Sequence, residues 1–180
     1  RMIIAVYCSA KDTIPERYKC IGAQLGEWIA SKGHTLLYGG ATGGLMSITS
    51  QAVKEKGGKI IGVIPSRIIK SGRKASHCDE LFEVSDMCER KRKMRDKADC
   101  FVCLPGSYGT LDEMFDVIAS GTIGEHKKKI YILNYDGFYD GLLQEICHMK
   151  SLNFLPKVEH YQPIIIDTIE QLIEKLETNN

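Results

Sequence analysis

Short apolar runs alternate with longer amphipathic stretches along this whole chain, and that alternation leaves few architectures open. Residues 3–8, 35–38, 59–64, 100–104, 129–133 and 163–166 have the length and side-chain branching of strands. Helical periodicity falls between them, near residues 15–32, 45–56, 87–97, 111–120, 139–150 and 169–177. Strands separated by helices cannot be joined by tight hairpins, so they pair in parallel and the helices cover both faces. The expected fold is α/β, a Rossmann-like three-layer sandwich with a mainly parallel sheet, as one domain over residues 1–180. Residues 66–76, centred on Ser71-Gly-Arg-Lys74, form the one irregular stretch, a solvated loop or a flap. Arg1 ahead of Met2 reads as an addition to the natural start, and Thr178-Asn-Asn180 as a frayed end.

Ligands of such sheets bind outside the carboxyl ends of the strands. That rim carries Cys8 and Ser9, residues 39–44, Pro65 and Ser66, and residues 105–110. The sharpest segment on it is Leu104-Pro-Gly-Ser-Tyr-Gly-Thr-Leu-Asp-Glu113, an apolar strand running into a glycine turn that opens a helix. Gly106 and Gly109 let backbone N–H groups approach an anion, and the helix aims its positive end at the same point. Glu113 then stands beside any bound phosphate. Thr110 and Glu113 also fit a capping box, so this loop alone leaves capping and catalysis both open. The second glycine turn, Gly39-Gly-Ala-Thr-Gly-Gly44, approaches either a ligand or a neighbouring loop. Its spacing is not that of a dinucleotide fingerprint, and no P-loop, HExxH or zinc-spaced cluster occurs.

The helix at 87–97 decides between the readings. Met87, Met94 and Ala98 mark its inward stripe, and Arg90 falls on that stripe. Lys91 borders it, while Arg92, Lys93 and Arg95 are free to point to water. A buried guanidinium without a partner costs several kcal/mol, so Arg90 needs either a ligand oxygen or the Glu113 carboxylate.

Charge and cysteines narrow the setting. A net charge of +1 gives no reason to expect a nucleic-acid or anionic-membrane partner. Seven cysteines, odd in number and mostly within apolar stretches, indicate reduced thiols in a cytoplasmic protein. Cys100 and Cys103 would face opposite sides of a strand, which argues against a redox or metal pair. The apolar residues 2–7 are too short for a secretory core or a membrane span.

Asp86-Met-x-x-Arg-Lys91 followed by Leu-Pro-Gly-x-x-Gly-Thr-x-x-Glu113 resembles the LOG family, the cytokinin riboside 5′-monophosphate phosphoribohydrolases once labelled lysine decarboxylases. Ala5-Val-Tyr-Cys-Ser9, Tyr38-Gly-Gly-x-x-Gly-Gly-Leu-Met46, Ile61-Gly-Val-Ile-Pro65 and Leu133-Asn-x-x-Gly-Phe-Tyr139 extend the likeness over most of the chain. The resemblance implies a homodimer that hydrolyses the N-glycosidic bond of AMP-like or cytokinin riboside monophosphates, giving free base and ribose 5-phosphate. It makes Arg90 and Glu113 the catalytic pair. It assigns the phosphoribosyl group to Lys91, Gly106, Ser107, Tyr108, Gly109 and Thr110, and places Gly39, Gly40, Gly43, Gly44, Ser9 and Met87 around the ligand. No cofactor or metal is implied, and nothing supports a pyridoxal-dependent decarboxylase. This chain departs from the family pattern at Cys88, where histidine is usual, and at Ser47 and Ser107, where glycine is. It departs again at Ile118-Ala-Ser-Gly-Thr-Ile-Gly124, where plant-like members carry Thr-Trp-Ala-Gln. The competing expectation is a non-catalytic binder of a nucleotide or phosphorylated cofactor, like the molybdenum-cofactor carriers.

Overall fold

Seven strands form one sheet in the computed structural model, which describes residues 1–157 and 159–178. They are β1 (Ile3–Tyr7), β2 (Thr35–Tyr38), β3 (Lys59–Pro65), β4 (Glu80–Val84), β5 (Cys100–Cys103), β6 (Ile130–Leu133) and β7 (Ile164–Ile166). Their order is β4-β3-β2-β1-β5-β6-β7, with every pairing parallel. The helices are α1 (Lys19–Ser31), α2 (Gly44–Glu55), α3 (Ser66–Lys70), α4 (Met87–Lys97), α5 (Tyr108–Thr122), α6 (Asp140–Ser151) and α7 (Ile169–Thr178). Asn179 and Asn180, from the end expected to fray, lie outside the described residues.

Side-chain alternation along the buried strands builds two cores. Ile4, Val6 and Cys8 face α1, α2 and α7, whereas Ala5 and Tyr7 face α4 and α5. Cys100 and Cys103 divide between these cores in the same way, on opposite faces of the sheet. All seven cysteines are free, and Cys20, Cys88 and Cys147 are exposed rather than packed in apolar surroundings.

Two elements differ from expectation. β4 escapes the alternation rule because Glu80 and Glu83 interrupt it, and as an edge strand it packs less of its surface. Its Phe82 is covered instead by the ammonium groups of Lys93 and Lys97, 4.5 and 4.6 Å from the ring centroid. Lys93 therefore does not simply point to water. Residues 66–76 begin with the short helix α3 and then lie against the glycine turn at 39–44. Thr42 N donates to Arg73 O at 2.8 Å and Ala75 N to Gly40 O at 2.9 Å, so this stretch is clipped over the rim.

The chain steps outward from β1 through β2, β3 and β4, then returns to the other side of β1 as β5. Such a reversal opens a crevice at the carboxyl ends of the two strands. Leu104 N to Tyr7 O at 2.9 Å and Ser9 N to Pro105 O at 3.1 Å hold the two strand ends together below it.

Candidate active site

α5 begins three residues earlier than the periodicity indicates, with Ser107 as its N-cap. The φ of Ser107 is −111°, a conformation that accepts a β-carbon, so serine replaces the family glycine without strain. Gly106 lacks that freedom, because a β-carbon there would collide with the Thr110 side chain. The first bond closing the helix runs from Leu111 N to Ser107 O at 2.9 Å. The amides of Tyr108, Gly109 and Thr110 are therefore left for a ligand, at the positive end of a fifteen-residue helix. Thr110 is not the N-cap, so of the two readings left open for this loop the capping box with Glu113 does not form. Glu113 lies in the second turn with its side chain turned into the protein, 3% exposed.

Arg90 reaches the same place from α4. Asp86 caps that helix by accepting from Glu89 N at 2.9 Å, and Glu89 reaches back to Ser85 N at 2.7 Å. This cap fixes the phase of α4 so that Arg90 points inward, 3% exposed. Its Nη1 donates to Met87 Sδ at 3.6 Å, while buried Nε and Nη2 have no partner among the described residues. Gly39 is what makes room for the guanidinium, since any β-carbon there would overlap Nη2.

No direct ion pair joins Arg90 to Glu113 among the described residues, so the carboxylate is not the guanidinium's missing partner. The two interact through space. Burial pushes the Glu113 carboxyl up to about 7, against the opposing pull of Arg90, with Asp112 adding a smaller upward push. Glu113 is thus poised between protonated and ionised near neutrality rather than held ionised. Both side chains line a cleft of about 220 Å³ together with Ser9, Met87, Ser107, Gly109 and Thr110.

Other expected site residues have protein contacts of their own. Lys91 pairs with Asp112 at 2.8 Å and does not line the cleft. Arg95 pairs with Asp116 at 2.8 Å, so these two bridges bind α4 to α5 beside the cleft, and Arg95 does not point freely to water. The Tyr108 side chain is 90% exposed, leaving its amide as its contribution. Gly44 N donates to Asp12 Oδ1 at 2.8 Å and Gly43 N to Ser47 Oγ at 2.7 Å, so the amides opening α2 are already occupied. β-carbons at Gly43 and Gly44 would strike Ala10 and Lys11, and one at Gly40 would crowd Leu81 and Ile64. That turn supports the site by close packing. Ala41, from the rim turn at 39–44, and Ile68 and Arg73, from the stretch read as a loop or flap, also line the cleft, and Lys11 and Met46 join them without having been named as site residues. Position just past β1 is a signal for Lys11, whereas nothing periodic marks Arg73.

Residues 46–176 match the family model described as "Possible lysine decarboxylase". Over 174 residues the chain is 38% identical to the cytokinin riboside 5′-monophosphate phosphoribohydrolase LOG of Oryza sativa subsp. japonica, covering 97% of this chain and 72% of that protein. It is 35% identical to the cytokinin riboside 5′-monophosphate phosphoribohydrolase of Mycobacterium marinum, covering 97% and 92%. Among solved structures, the molybdenum cofactor binding protein of Rippkaea orientalis superposes with a TM-score of 0.75 at 23% identity, over 99% of this chain and 97% of the other. The molybdenum cofactor carrier protein of Chlamydomonas reinhardtii does so with a TM-score of 0.74 at 19% identity, again over 99% and 97%. These two share the fold.

Proposed function

The chain belongs to the LOG family, and on that premise we propose that it hydrolyses the N-glycosidic bond of a purine nucleoside 5′-monophosphate. The observation that carries this reading is Arg90, a buried guanidinium with two unpartnered donors, in one cleft with a carboxyl poised near 7. The 5′-phosphate sits on the amides of Tyr108, Gly109 and Thr110, which places the sugar deeper along α5 toward Glu113. Cleavage of the C1′–N bond builds positive charge on the ribose ring. Ionised Glu113 stabilises that charge and takes a proton from the attacking water. The hydroxyl goes to C1′, the bond pair goes to the base, and a proton from solvent completes the free base. Arg90 holds sugar or phosphate oxygens in its fork and is not a proton donor.

The residues do not fit the pyridoxal phosphate of a lysine decarboxylase. Lys11 alone among lysines of the described residues lines the cleft, and it is exposed, whereas a Schiff-base lysine needs a desolvated amine. Adenine and modified adenines are the bases this reading favours, on the strength of the relatives' names.

We infer a cytoplasmic protein, supported by its seven free cysteines. No helix of the described residues is long and apolar enough to cross a membrane. We also infer a homodimer, supported by α6, which buries no residue, and by the exposed Ile123, Leu152 and Phe154 nearby.

Chromatography of AMP incubated with the protein tests the hydrolase. Free adenine is expected, and Glu113→Gln should lower its rate by about 10²-fold or more. Binding of AMP and other nucleotides without base release would leave the non-catalytic binder instead.

A further inference from the structure

A second compartment of about 270 Å³ adjoins the cleft and shares Ser9, Lys11 and Ser107 with it. Its far wall is apolar and aromatic, made by Ile14, Pro15, Tyr18 and Phe138. Tyr18 meets Tyr135 and Phe138 edge to face, with centroids 5.9 and 5.7 Å apart, which fixes the wall's shape. Arg90 and Glu113 line the first compartment and not the second. The base must lie one bond from C1′, so it belongs with Glu113 in the first.

The partition between the compartments holds the N-terminus of α5, where the proposed function seats the phosphate. Glu113 is about 6 Å along the axis of α5 from Gly109, four residues at 1.5 Å each, and Pro105, Gly106 and Ser107 lie beyond the opposite end of the helix. A phosphate on the Tyr108–Thr110 amides therefore has the sugar on one side and the aromatic compartment on the other. Lys11 stands at this junction and makes no ion pair among the described residues. Neither compartment alone reaches the common range for ligand pockets, about 300–1,000 Å³, whereas the two joined do.

We propose that the site takes a nucleotide whose 5′-phosphate is esterified by a second, flat apolar group, and that this group stacks in the compartment walled by Tyr18 and Phe138. The reaction stays the same, with water adding at C1′ and the base leaving, but the product is a ribose 5-phosphodiester. The inference rests on the hydrolase reading for the placement of phosphate and C1′.

The phenyl phosphodiester of AMP is the probe, compared with AMP itself and with N6-benzyl-AMP by calorimetric binding and by base release. The phenyl ester should bind at least tenfold more tightly than AMP, and Phe138→Ala should erase that preference. Ile14→Asn, on the same apolar wall, is the second variant should the first not fold. Equal or weaker binding of the ester would overturn the proposal. So would a Phe138→Ala defect seen with N6-benzyl-AMP rather than the ester, which would make this the base side. Base release from none of the three would sink the hydrolase reading, while the binding preference would still decide this one.

Discussion

Glu113 keeps its proton up to about pH 7 in the folded chain, against the usual 4.5 of a free glutamate. A raised carboxyl favours folding while protonated, so its contribution is full below pH 4.5 and is lost as pH rises through 7. Glu113→Gln removes the charge that burial opposes. Thermal melts of the variant should match the parent near pH 4.5 and exceed it at pH 8, by on the order of 2–3 kcal/mol. Under the proposed function catalysis has the opposite dependence, since the ionised form acts there, so base release should rise as pH passes 7 while stability falls. Gly109 separates the two properties differently. It is helical, and a β-carbon there would meet nothing within 4 Å. Gly109→Ala should keep or raise the melting temperature, by up to about 1 kcal/mol in stability, while raising the KM for AMP because the methyl enters the phosphate's space. Arg90 was legible in the chain because a charge on a methionine stripe breaks a packing rule. The roles of Gly43 and Gly44 were not, because whether an amide meets a ligand or Asp12 depends on a loop more than thirty residues away.

At the scale of elements, α4 and α5 act as one unit. Lys91–Asp112 and Arg95–Asp116 repeat one turn apart on both helices, holding Arg90 and Glu113 on either side of a single cleft. The Arg95 and Asp116 side chains are only 20% and 22% exposed, so this bridge is less screened than a surface pair. Asp116→Asn should lower the melting temperature by about 2–4 °C, the shift expected for ~1 kcal/mol at this length, and 0.5 M salt should shrink the difference only partly. Basic composition hid this seam. Arg95 reads as a solvated charge until its partner helix is in place, because ion pairs between elements leave no periodic trace. The central strands were legible, being apolar and β-branched on both faces, whereas β4 was not, since a half-covered edge strand tolerates Glu80 and Glu83.

For the whole molecule, the exposed apolar residues gather around α6 and the end of α5. Phe115 and Ile118 of α5, Ile146 and Met149 of α6, and Leu155 line a groove of about 380 Å³ there. Ile123 and Phe154, 74% and 77% exposed, stand nearby. Light scattering of the parent should give twice the chain mass, and the double variant Ile123→Asp/Phe154→Asp should give a monomer with unchanged circular dichroism. The site's position at the junction of β1 and β5 also bears on how the protein is made. β1 pairs with β5 from Ile4↔Cys100 to Tyr7↔Cys103, so its two neighbours are supplied by distant halves of the chain. During synthesis at about 5–20 residues per second, the β1 edge waits some 5–20 s for β5 to emerge. Through that interval β1 lacks its β5 neighbour and presents an open apolar edge to chaperones and to other nascent chains, with β2, β3 and β4 joining its other side as they emerge. α5 follows β5 in the chain, so Arg90 and Glu113 meet across one cleft only after that edge has closed, and under the proposed function a nascent chain can hold substrate no earlier.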